Sequence, residues 1–192
     1  MGALGDISGV IQGVGSLAAV GAAVWIYSRQ YSDKKADDVA ETRAFVQAIC
    51  DEVQTAWDGY NQEIHPKLKA LRADEPFNFI YPVTAEPFPV FVGNVGMVGK
   101  VDDAELRRSI IRAYALARGL LDSFRLNNAS VAEYKRLKTM NGPPETNLFT
   151  RTHLDMMVEY AGKLKERDEW VEQAVKDLLS RTEQWLDAHP PR

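Results

Sequence analysis

The sequence predicts an all-α protein in two parts. An amino-terminal single transmembrane helix is expected over residues 1–30, followed by a cytoplasmic antiparallel bundle of about three long helices over 31–192. Three observations predict it: an uncharged run near the amino terminus, long stretches with apolar residues three and four apart, and a group of four prolines between residues 74 and 100. At 192 residues, 45% hydrophobic, 26% charged and with a formal charge of −4, the chain needs no second globular domain. Its single cysteine, Cys50, rules out an internal disulfide.

The first element rests on length and charge. Between Ile7 and Tyr27 there is no ionisable side chain. Those 21 residues would make roughly 31 Å of helix, the thickness of a bilayer's hydrocarbon layer. Eight large aliphatics at roughly −0.5 kcal/mol each favour insertion by only about 4 kcal/mol, and four glycines, Ser8, Gln12 and Ser16 oppose it. Asp6 precedes the run, whereas Arg29, Lys34 and Lys35 follow it. That order disfavours a cleaved secretory signal and places the amino terminus outside a bacterial inner membrane. The competing reading is a water-soluble protein with a buried first helix, in which each glycine would cost roughly 1 kcal/mol against alanine. Gly5, Gly9 and Gly13 recur every fourth residue beside a stripe of Ser8, Gln12 and Ser16. This is the spacing through which spans pack closely, so the expected partners are the lipid bilayer and further copies of the chain.

The first bundle helix is expected over 36–71. Val39, Val46, Ile49, Val53, Trp57, Tyr60, Ile64, Leu68 and Leu71 are expected on one stripe, with Pro66 expected to kink or end its regular part near His65. His65 has no second ligand-type residue at helical spacing, which argues against a metal.

Residues 74–100 read as an extended connection, because Pro76, Pro82, Pro87 and Pro89 forbid a helix and Gly93, Gly96 and Gly99 are expected to supply turns. Phe77, Phe79, Tyr81, Phe88 and Phe91 are too many aromatics to leave in water. They read first as packing across the bundle, and second as a partner surface or gate. Here Tyr81, Pro82, Val83, Phe88, Pro89, Val90, Phe91, Asn94 and Gly99 make a "YPV…FPVF…N…G" pattern, followed by "DDAELRRSIIRAYALARGLLDSFR". In these residues the chain resembles a largely uncharacterised group of small bacterial membrane-anchored helical proteins. The resemblance implies an anchored helical domain and brings no catalytic residues. In architecture alone the chain is also similar to accessory membrane proteins of bacterial antiviral systems that assemble into pores.

A second bundle helix is expected over 102–139, capped by Asp102 or Asp103, with Leu106, Ile110, Ala113, Ala117, Leu120 and Phe124 as its seam. The "NGPP" at Asn141 to Pro144 stops it. A third, over 147–188, opens at Asn147 or Thr150 and carries Leu154, Met157, Ala161, Leu164, Val171, Val175, Leu178 and Trp185 on one face. Residues 36–75, 102–139 and 145–192 carry −5, +3 and −3, which suits lateral pairing, although an exposed pair contributes only about 0.2 to 1 kcal/mol. The basic side of the middle helix, with Arg107, Arg112 and Arg118, lacks interleaved aromatics, and this argues against nucleic acid as a partner.

No nucleophile elbow, phosphate loop, metal-ligand spacing or di-iron pair occurs, so neither enzymatic activity nor a cofactor or metal is expected. Cys50 reads as an inert thiol, having no adjacent base or cation. Two readings of function follow. The favoured one is a membrane-anchored scaffold or interaction module for an unidentified cytoplasmic protein. The other is an oligomeric pore acting in stress response or antiviral defence, lined by Ser8, Gln12 and Ser16.

Overall fold

The computed structural model describes the backbone of residues 3–190; ahead of Asp37 it describes the side chains of Trp25, Ser28, Arg29, Gln30 and Lys34. The described residues contain helices and no strand, in keeping with the all-α class. In order they form α1 (Ala3–Glu63), α2 (His65–Ala70), α3 (Pro89–Gly93), a 3₁₀ segment (Val95–Lys100), α4 (Ala104–Asn141) and α5 (Leu148–Ala188). The chain divides into two compact units, Met1–Arg43 and Ala44–Arg192.

In the first unit, the Ser28 hydroxyl donates to the Trp25 carbonyl at 2.9 Å, and the Arg29 guanidinium stands 5.5 Å from the centre of the Trp25 ring. Among the described residues no helix is long and apolar enough to cross a membrane. This overturns the expected single transmembrane helix, and with it the single-pass anchor and the pore built from it. The physical reason is in the sequence: aliphatic side chains are diluted by glycine, serine and glutamine, so the favourable insertion term is small. In addition, α1 does not end at an interface but runs on through Arg29, Lys34, Lys35, Asp37 and Asp38. The expected oligomerisation face of Gly5, Ser8, Gly9, Gln12, Gly13 and Ser16 lies outside the described residues.

The second unit is built on three stripes. Residues Phe45, Val46, Ile49, Val53 and Tyr60 of α1 are buried, as are Leu106, Ile110, Leu120 and Phe124 of α4 and Leu164, Val171, Leu178 and Trp185 of α5. These form one contiguous core. Cross-helix contacts set the directions: Tyr160 of α5 reaches Ser123 of α4 at 3.4 Å and Trp185 reaches Asp102 at 2.9 Å, so the two helices are antiparallel. Both open on a side-chain cap. Asp103 Oδ1 accepts from the amides of Glu105 and Leu106 at 2.7 and 3.0 Å, and Asn147 Oδ1 from those of Phe149 and Thr150 at 3.0 and 3.2 Å. Between them Gly142 takes φ +90°, ψ −180°, a region open in practice only to glycine. Ion pairs are mostly local: Arg108 with Glu105 and Arg136 with Glu133 close within α4, while Arg181 of α5 comes only within 4.0 Å of Glu105.

The connection from 71 to 103 lies across this unit. Its backbone has no strand partner, so its polar groups need side chains to satisfy them. Asn127 Nδ2 donates to the Phe79 carbonyl at 3.0 Å. Asn128 holds Tyr81 at both ends, accepting from its amide at 3.0 Å and donating to its carbonyl at 2.7 Å. Arg125 donates to the Thr84 carbonyl at 3.2 Å, and Glu52 accepts from the amides of Val90 and Phe91 at 2.7 and 3.1 Å. Glu52 thus supplies the amino-terminal cap that α3 lacks locally. The connection is not extended throughout as expected: Pro89 opens a short helix, where a proline is tolerated in the first turn, and the glycines expected to supply turns lie inside helical segments, Gly93 in α3 and Gly96 and Gly99 in the 3₁₀ segment, none with a left-handed backbone.

Candidate functional site

Beside that segment is a cavity of about 210 Å³, walled by α1, α4 and α5, bordered by residues of the connection and open to solvent on one side. Periodicity places its walls: Val53, Trp57 and Tyr60 of α1 are three or four apart, as are Ala113, Ala117, Leu120 and Phe124 of α4. Tyr81 packs its ring 5.0 Å from Phe124 and edge-on to Tyr60 at 6.2 Å, while Phe88 stands edge-on to Tyr114 at 5.1 Å. Of the lining residues, Ala56, Pro82 and Thr84 are exposed and mark the mouth. None of the eighteen carries an acidic, basic, imidazole or thiol side chain.

The phenols of two wall residues are committed outward. Tyr60 donates to Asp168 at 2.6 Å and Tyr114 to Glu52 at 2.7 Å. Burial first, and those hydrogen bonds second, raise both hydroxyls above the ordinary tyrosine pKa and keep them neutral. Asp168 is fully buried and also accepts from His65, whose Nδ1 lies 2.9 Å from each carboxylate oxygen. The far nitrogen of His65 is 3.7 Å from Glu172, which Lys69 and Lys176 neutralise at 3.0 and 2.7 Å. Hydrogen bonds from Lys176 and then Lys69 push the Glu172 carboxyl down to about 2. The cluster pins the α1–α2 junction to α5. His65 is 5% exposed and Asp168 fully buried, so the pair is shut away from solvent.

The aromatics of the connection divide between core and surface. Phe77 and Phe88 are buried, Tyr81 and Phe91 half-buried, and Phe79 is 46% exposed with the Lys67 ammonium 4.6 Å from its ring centre. Phe91 stacks on Tyr114 at 3.9 Å. Cys50 is half-buried, and burial, then the charges of Asp51 and Glu183, push its thiol up, away from the reactive thiolate. His153 donates to the Ser130 carbonyl at 2.9 Å. Among the described residues no group of three or more His, Cys, Asp or Glu side chains could hold a metal ion.

Sequence reasoning missed the partner of His65, which lies 103 residues away. A signal was present. Asp168 occupies the position between Leu164 and Val171 where the apolar stripe of α5 calls for a hydrophobe. Comparison with protein-family models, with curated proteins and with solved structures gives no match to this chain.

Proposed function

We propose that the Ala44–Arg192 unit is a helical interaction module that seats an apolar group of a partner in that cavity and performs no chemistry on it. The observation that carries this reading is the lining: a concave, aromatic-walled space of about 210 Å³ in which no side chain can serve as nucleophile, general base or metal ligand at neutral pH. The tyrosines that touch it are held neutral, and the one thiol of the chain is outside it. The pore reading is withdrawn together with the transmembrane span on which it depended. What stays of the scaffold reading is the docking of a second protein, with the exposed Phe79 and Ile80 on the outer side of the connection as a flanking contact.

A photo-reactive benzoylphenylalanine in place of Thr84, at the mouth, tests it in the native host. A discrete adduct is expected, and Ala117→Trp, which fills the cavity from α4, should abolish it. Absence of any adduct, or an adduct that survives the filled cavity in a folded variant, would overturn the proposal.

A further inference from the structure

We infer that the free end of the α4–α5 hairpin docks on an anionic lipid surface, its apex entering the headgroup layer without crossing the bilayer. The inference is independent of the cavity and of the interaction-module reading. Asn127 fastens the connection at Phe79, and from there α4 runs on for 14 residues, roughly 21 Å, to its end at Asn141. The contiguous core includes no residue between 125 and 159, so the apex stands clear of it. At the apex Leu148, Phe149 and Met140 are 75, 74 and 68% exposed, the three most exposed large hydrophobics among the described residues.

The backbone there is largely satisfied from within. The amides of Gly142, Thr146 and Asn147 donate to the carbonyls of Lys138 and Pro143 at 3.1 to 3.2 Å, Pro143 and Pro144 have no N–H, and Asn147 Oδ1 takes the amides of Phe149 and Thr150. Few polar groups would therefore lose hydration on leaving water. Direction decides between a bilayer and a protein. Leu148 and Phe149 are consecutive on α5, so their side chains diverge by about 100°, and Met140 belongs to α4. A rigid partner face covers one such direction, whereas a fluid layer takes in side chains that radiate from an apex. Charge decides which lipid. Residues 134–152 hold four basic side chains, Lys135, Arg136, Lys138 and Arg151, against the single acid Glu145, while the rest of the chain carries −7. All four are exposed. Arg136 is held by Glu133 at 2.6 Å; the other three form no ion pair among the described residues and can extend to headgroup phosphates. The same positive charge opposes the pairing of two apices, which argues against a second copy as the occupant.

The test is flotation of the full chain with vesicles of phosphatidylcholine, either alone or with one-third phosphatidylglycerol. Binding to the anionic vesicles is expected to be at least tenfold tighter than to the neutral ones and to weaken at about 0.5 M salt. Leu148→Ser with Phe149→Ser, and separately Lys135→Gln with Lys138→Gln and Arg151→Gln, should each weaken it at least tenfold, with circular dichroism and melting temperature unchanged. The apolar run between Ile7 and Tyr27 is kept in every variant. Binding that this run alone supports would survive both sets of changes, and such survival in a folded variant would overturn the inference. Absence of flotation, or equal flotation with neutral vesicles, would overturn it too. In that event benzoylphenylalanine in place of Leu148 would identify the true occupant in cells, a foreign protein or a second copy of the chain.

Discussion

Replacing Asp168 by alanine should be among the most damaging single changes in the Ala44–Arg192 unit, and the structure says by how much. The carboxylate is fully buried and receives one hydroxyl at 2.6 Å and one imidazole N–H shared between its oxygens at 2.9 Å. A hydrogen bond to a charged group contributes about 1.5 to 3 kcal/mol, so losing both costs about 3 to 6 kcal/mol. For a unit of this size each kcal/mol moves the melting temperature by roughly 2 to 4 °C, so Asp168→Ala should lower it by roughly 6 to 24 °C. Circular dichroism during urea and thermal denaturation measures this directly. A double-mutant cycle with Tyr60→Phe should give a coupling of about 1 to 3 kcal/mol. A loss below about 1 kcal/mol for Asp168→Ala, or strict additivity with Tyr60→Phe, would refute the view that this cluster ties α1 to α5.

Two other outcomes follow from buried and paired groups. The Glu172 carboxyl lies at about 2, below its ordinary value of 4.5, so its contribution is fully present above that ordinary value and is lost as pH falls towards 2. Glu172→Gln should accordingly flatten the acid limb of a stability–pH profile between pH 5 and 2, and an unchanged limb would contradict the pairing with Lys176 and Lys69. Thr182 is fully buried and its hydroxyl has no hydrogen-bond partner among the described residues, so Thr182→Val should leave the urea midpoint unchanged or raise stability by about 1 to 2 kcal/mol. A clear loss of stability would mean that the hydroxyl is satisfied in solution.

The helical class was legible because it depends on local periodicity, and residues such as Leu106, Ile110 and Phe124 bury the stripe that the spacing marks. The membrane span was misread because its length and lack of charge were weighed above its weak apolar content. The cavity was only half legible. The five aromatics of the connection pointed to packing, but which of them would line a space and which would fill the core depends on anchors from other elements. Glu52 illustrates this: it sits beside Val53 in the α1 stripe, and nothing local indicates that it will cap α3 some forty residues later. The pairing of His65 with Asp168 was illegible for the same reason, since two ordinary residues acquire their roles only once α2 and α5 pack together.

Because the segment bordering the cavity is riveted at separate points and not stitched along a continuous seam, its hydrogen-exchange pattern should be uneven. The amides of Tyr81, Val90 and Phe91, each tied to a helix side chain, should exchange slowly. Between them the chain is fastened again by Arg125 on the Thr84 carbonyl and by the buried Phe88 ring, so the slack is confined to exposed Ala85 and Glu86, whose amides should be the first of this segment to exchange.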